Sequence, residues 1–228
     1  SSMVSSIVRP EMAAAFQAHP YRRPIIGWMN DLENMTAADA RDWYRRWYAP
    51  NNAYVIVVGD VNKDAVFRLA EKHYGRIPAR ALPGRKPQLE PVQVGIKRLV
   101  VKAPAKLPYL SMAWKVPVLR DLHKEREPYA LEMLAAVLDG HEAARFSRNL
   151  VRGSKIAVSA GAGYDATVRG EALFVVSGTP AEGRSVAELE AALRAEIVRV
   201  ASEGVSAQEL ERVKTQTIAA QTYKRDSM

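Results

Sequence analysis

No cysteine occurs in the 228 residues. Disulfides, thiolate nucleophiles and Cys-type zinc sites are therefore excluded. The same absence suits a periplasmic and a cytoplasmic compartment equally. Histidine is also scarce, with only His19, His73, His123 and His141. No stretch approaches 18 uninterrupted apolar residues, so nothing reads as a membrane span. The opening SSMVSSIVRP lacks a charged start followed by an apolar core, so it is not a signal peptide. Ser1-Ser2-Met3 reads as a cloning remnant. Acidic residues are outnumbered, giving a net charge of +8 and a pI near 9.7. The basic residues are scattered, with Arg22-Arg23 and Arg45-Arg46 the densest runs, and no aromatic-interleaved RNA motif accompanies them. A generally basic solvated surface is expected, with no nucleic-acid site.

Hydrophobic residues make up 48% of the chain, enough for one large domain or two small ones. Residues 36–48 read as a helix, with Thr36 as N-cap and Asp39 in the first turn. Residues 53–59, AYVIVVG, form a continuous apolar run expected in a strand buried on both faces. A second helix is expected over 63–74, closed by Gly75 at C′. Residues 79–95 hold three prolines and two glycines without periodicity and read as a linker. Beyond it, strands are expected at 97–102 and 107–116, helices at 125–138 and 142–151, and a hairpin of 155–164 with 171–178. The strand 171–178 is a candidate edge for strand addition. Two long helices follow, opened by the S-x-x-E capping boxes of Ser185/Glu188 and Ser206/Glu209 and separated by Gly204. The second keeps its pattern to Met228. The class is α+β, with helices on one face of a mostly antiparallel sheet.

Three segments, in order, resemble the insulinase/pitrilysin family of zinc metallopeptidases. They are His19-Pro20-Tyr21 through Gly27-Trp28 to Glu33; Trp43-Tyr44 through Tyr48-Ala49-Pro50-Asn51-Asn52-Ala53 to Val58-Gly59-Asp60-Val61; and Leu138-Asp139-Gly140 through Arg145-Phe146 to Ala157-Val158-Ser159-Ala160. The family is built from repeated α+β domains, one active and one inactive. The resemblance implies that residues 1–80 are the C-terminal half of an active-type domain. It implies that 81–94 are a linker and that 95–228 are a truncated inactive peptidase-like domain.

The family's chemistry rests on one zinc held by an inverted H-x-x-E-H helix. None of the four histidines starts that motif. His141-Glu142-Ala-Ala-Arg145 comes nearest to the ordinary H-E-x-x-H, but Arg145 stands where a second imidazole is needed, and a guanidinium does not ligate zinc. The resemblance implies zinc in the parent family and none in this chain, and no catalytic residue carries over. Some members also grip the substrate backbone with an Arg and a Tyr in the inactive domain; those places are Val151 and Val158 here. His141, Glu142 and Arg145 remain the candidates for contacting a peptide, against the plainer readings of a solvated helix start and an ion-pair partner. Asp31 and Glu33 read as loop residues. Trp43, Tyr44, Trp47 and Tyr48, at i, i+1, i+4 and i+5, read as helical core. The function implied is a non-catalytic segment of a zinc endopeptidase that shapes the peptide chamber, with a motif-bearing chain or domain, or a second copy, as partner. A structural or assembly protein of the same fold and a stand-alone peptide-binding module are the alternatives.

Overall fold

Local side-chain chemistry starts several of the helices. Asp39 N–H donates to Thr36 Oγ1 at 3.3 Å, and the Asp39 carboxylate accepts from Thr36 N–H at 2.8 Å, opening the helix Ala37–Trp47. Asn62 Oδ1 accepts from Ala65 N–H at 3.0 Å and opens Lys63–Tyr74. Gly75, expected at C′, is the C-cap of that helix and stays right-handed at φ −60°.

The computed structural model describes residues 10–102 and 104–226. In chain order the helices are α1 (Pro10–Ala15), α2 (Met29–Glu33), α3 (Ala37–Trp47), α4 (Lys63–Tyr74), α5 (Glu127–Asp139), α6 (Val186–Glu203) and α7 (Ala207–Asp226). The strands are β1 (Leu110–Val116), β2 (Ala157–Gly163) and β3 (Ala172–Pro180). The chain forms two compact units: Arg23–Glu90, and residues 10–22 together with 91–226. The segment 10–22 thus packs with the second unit, whereas the resemblance groups it with residues 1–80.

In the larger unit the sheet order is β1-β3-β2, all antiparallel. β3 is therefore the centre of the sheet, which corrects the expectation of an edge at 171–178; the edges are β1 and β2. Along β3, Ala172, Phe174, Val176, Gly178 and Pro180 are buried while the alternate residues are half-buried. That period of two turns one face to the core. Leu138 from α5, Leu189 and Leu193 from α6, and Phe146 meet Phe174 and Val176 there. Each fully buried leucine contributes roughly 1.5–3 kcal/mol by removal from water.

Residues 10–22 brace the far end of the β2–β3 hairpin. Tyr21 Oη accepts from the backbone N–H of Arg169 at 3.0 Å and of Gly170 at 3.2 Å. The His19 ring stacks edge-on to Tyr21 with centroids 4.5 Å apart. A Cβ at Gly170 would lie 2.3 Å from the His19 ring, so only glycine lets this loop close on the motif. Residues 97–102, expected as a strand, pair with none among the described residues. Arg98 is instead anchored to Glu190 of α6 by two hydrogen bonds of 2.9 and 2.8 Å.

The smaller unit has little interior. Ala49 is its one buried residue, and the Asn51 side chain holds the Arg80 backbone, its Nδ2 donating to Arg80 O at 3.1 Å and its Oδ1 accepting from Arg80 N–H at 3.3 Å. Residues 53–58 are extended but join no ladder among the described residues, and Tyr54 and Ile56 are 96% and 83% exposed. The expected burial on both faces is absent because an apolar run needs neighbours on either side, and this unit provides none. The aromatic residues of α3 are also not core. Trp43, Tyr44 and Tyr48 are exposed, with Tyr44 stacked on Tyr48 at 4.6 Å and Arg85 over Trp47 at 5.2 Å.

Candidate functional site

The candidate peptide-contacting residues occupy the turn that follows α5. Gly140 N–H closes the helix on Ala136 O at 2.8 Å. His141 Nδ1 then accepts from Ala143 N–H at 3.0 Å, and His141 O accepts from Ala144 N–H at 2.8 Å. These bonds fold the chain back so that Ala144, Arg145 and Phe146 turn inward and are buried. From Ser147 to Gly153 the chain continues as one wide helical segment with i→i+5 bonding, in place of the expected α-helix. Leu150 of this segment is buried in the core.

Arg145 is the best-anchored of the three. Its Nε donates to Glu209 Oε1 at 3.0 Å, and its Nη2 donates to Glu209 Oε2 at 2.7 Å and to Gly204 O at 3.0 Å. Only 9% of the arginine side chain and 13% of the glutamate side chain are exposed. This is a forked, two-bond pairing that a lysine does not reproduce. The arginine beside it holds the Glu209 carboxyl below its ordinary pKa, against the opposing effect of burial. The guanidinium pKa is raised in turn. Gly204, at φ +74°, makes the bend between α6 and α7, so the pair joins the turn after α5 to the start of the last helix.

Glu209 explains a second departure. Ser206 Oγ accepts from Glu209 N–H at 3.2 Å, as a capping box requires, but the Glu209 carboxylate is taken by Arg145. At Ser185 the box is complete, with Glu188 accepting from Ser185 N–H at 2.8 Å. A buried tertiary partner outcompetes the local one at Glu209, and the sequence carries no signal for it beyond the presence of both charges.

His141 is half-buried and Glu142 is exposed, so these two stand on the solvent side of the turn while Arg145 stands on the core side. The three candidates therefore share a turn but not a surface. Among the described residues no three His, Cys, Asp or Glu side chains converge as a metal site would require. The residues of H-E-x-x-R do not fit zinc: one imidazole lies beside an arginine already committed to a carboxylate. A further buried carboxylate, Glu196, accepts from Asn149 Nδ2 at 2.9 Å and Arg199 Nη1 at 2.8 Å and is likewise part of the framework.

A family model described as "Peptidase M16 inactive domain" matches residues 34–217. The zinc protease PqqE of Helicobacter pylori is 32% identical over 173 residues, which is 73% of this chain and 37% of that protein. The crystal structure of a protease from Helicobacter pylori superposes with a TM-score of 0.82 at 27% identity, covering 93% of this chain and 51% of the other. The periplasmic protease PqqL of Escherichia coli superposes at 0.70 with 18% identity, covering 99% of this chain and 25% of the other, a likeness of fold. The chain thus spans about half or less of the length of these relatives.

Proposed function

Because the chain belongs to the peptidase M16 family and carries its inactive-type domain, we propose that it walls the peptide chamber of a zinc endopeptidase whose metal site lies on another polypeptide segment. The observation that carries this reading is the state of the unit Arg23–Glu90. Its apolar run 53–58 is extended, unpaired and exposed, and the unit has almost no interior of its own. Several exposed β-branched residues in a row are costly in water, at about 25 cal/mol per Å² of apolar surface left uncovered. They are the half of a domain that a neighbouring strand and helix complete. This favours a motif-bearing neighbour over a stand-alone peptide-binding module. The bound peptide meets His141 and Glu142 on the solvent side of their turn, and Arg145 acts by holding that turn in place.

The test joins metal analysis to complementation. The purified chain, free of affinity tags, is measured for zinc by elemental analysis and for cleavage of a fluorogenic peptide library, alone and with an M16 chain that bears H-x-x-E-H. The expected result is no stoichiometric zinc and no cleavage alone, with cleavage and a stable complex in the mixture. One tight zinc per isolated chain would overturn the reading. A stable complex with no cleavage would favour a structural or assembly role. Tight peptide binding by the isolated chain would favour an independent module. A homodimer in sedimentation that protects residues 53–58 would make a second copy the neighbour.

A further inference from the structure

A three-stranded sheet with the order β1-β3-β2 leaves two edges, each a row of backbone groups able to pair with another strand. At β1 the flanking residues Pro108 and Pro117 cannot donate, and α1 packs against the strand. β2 has no flanking proline, while α5 and the segment Ser147–Gly153 pack against it. Its sequence, AVSAGAG, is small and uncharged, so no bulky or ionic side chain guards it. Left open, such an edge is a template for association.

The protection comes from outside the strand. Asp139, the last residue of α5, directs its carboxylate to β2, and Oδ2 accepts from Ala162 N–H at 3.3 Å. Ala162 lies opposite Val176 of β3. A Cβ built at Gly161 would stand 3.1 Å from the same oxygen, so the carboxylate lies close along the strand at the glycine. Burial raises the pKa of Asp139, and the Ala162 N–H works against that rise, as expected for a carboxylate drawn into partial contact with the strand. At the other end of β2 the pairing with β3 slips between Ala157 and Ser159, an irregularity that turns the strand aside. Between these two points only residues 159–162 of regular edge remain, shorter than the usual strand.

We propose that Asp139 is an edge guard: by occupying the Ala162 N–H it stops a second copy of this chain from adding a strand to β2. The role is distinct from the peptide reading above, since it concerns the opposite outcome, the closing of an edge. It also predicts that a strand bound in the chamber does not dock on β2 around Ala162.

The test uses the full chain, comparing wild type with Asp139→Ala and with Gly161→Ala, which crowds the carboxylate from the strand side. Amide exchange resolved by residue is measured at low concentration, and sedimentation follows over a rising concentration series. In Asp139→Ala the Ala162 amide is expected to exchange roughly three- to tenfold faster, the factor that corresponds to loss of one ordinary hydrogen bond. Gly161→Ala is expected to move it the same way by less. At high concentration Asp139→Ala is expected to dimerise, with new protection confined to residues 157–163, while β3 amides stay unchanged in both variants. Unchanged exchange at Ala162, or association whose protection maps to residues 53–58 and not to β2, would overturn the proposal. If Asp139→Ala fails to fold, Gly161→Ala is measured in the same two ways: faster exchange at Ala162 supports the guard, and unchanged exchange there overturns it.

Discussion

Replacing Arg145 by alanine removes the cation from a carboxylate whose side chain is only 13% exposed. Three hydrogen bonds go at once, two to Glu209 and one to Gly204 O. The larger effect is the charge left behind. Breaking a buried ion pair from one side costs roughly 3–5 kcal/mol, because the partner stays desolvated and unpaired. Replacing both residues by apolar ones of similar volume is often close to neutral. The expectation is therefore a loss of about 3–5 kcal/mol for Arg145→Ala, with much of it recovered in the double variant Arg145→Leu with Glu209→Leu. For a chain of this size such a loss lowers the melting temperature by roughly 10 °C. Urea titration followed through β3 amides measures it, with an unchanged slope confirming that the compactness of the states is preserved. Lys214→Ala serves as control, since its pair with Glu211 is exposed on both sides and is worth about 0–1 kcal/mol. A loss under about 1 kcal/mol for Arg145→Ala would place the pair among ordinary surface pairs. That result, or a double variant no more stable than the single, would show that Glu209 is not a buried charge dependent on Arg145.

Acid stability follows from the same carboxylates. Arg98 and then Arg194 hold the Glu190 carboxyl at about 2, against its ordinary 4.5, and Arg145 lowers Glu209 in the same direction. Both carboxyls bind protons more weakly folded than unfolded, so their stabilisation is present above pH 4.5 and is lost as pH falls below it, for Glu190 down to about 2. Denaturation midpoints across that window should decline, and Glu190→Gln should flatten part of the decline. Gly170→Ala drives a Cβ into the His19 ring and should cost roughly 1–3 kcal/mol, visible as faster proteolysis of the 164–171 loop. Tyr21→Phe leaves the N–H groups of Arg169 and Gly170 without their acceptor and should cost about 0.5–1.5 kcal/mol in thermal melts. Leu138→Ala opens a cavity under β3 and should cost about 2–5 kcal/mol in the same assay.

The family, the α+β class and the starts of α3, α4 and α6 were legible in the residue order alone, because they depend on short-range chemistry and on the succession of motifs; α1 and α2 were not expected, and Asp31 and Glu33, expected in a loop, lie in α2. Thr36 with Asp39, and Ser185 with Glu188, bond to backbone three residues away, and no distant partner interferes. The hairpin of β2 with β3 was legible for the same reason: two short apolar runs with a turn between them. Glu209 shows where that logic stops. Its spacing from Ser206 is that of a capping box, yet its carboxylate belongs to Arg145, 64 residues earlier. The apolar run 53–58 was readable as a strand by composition, but burial is a property of neighbours, and the unit that holds it brings none. The order β1-β3-β2 likewise lies outside the sequence pattern, since alternation tells which face of a strand is buried and not which strands lie beside it. Local bonding determines where elements begin; only long-range contact decides which of them finds a partner, because a tertiary partner close in space can outcompete one close in sequence.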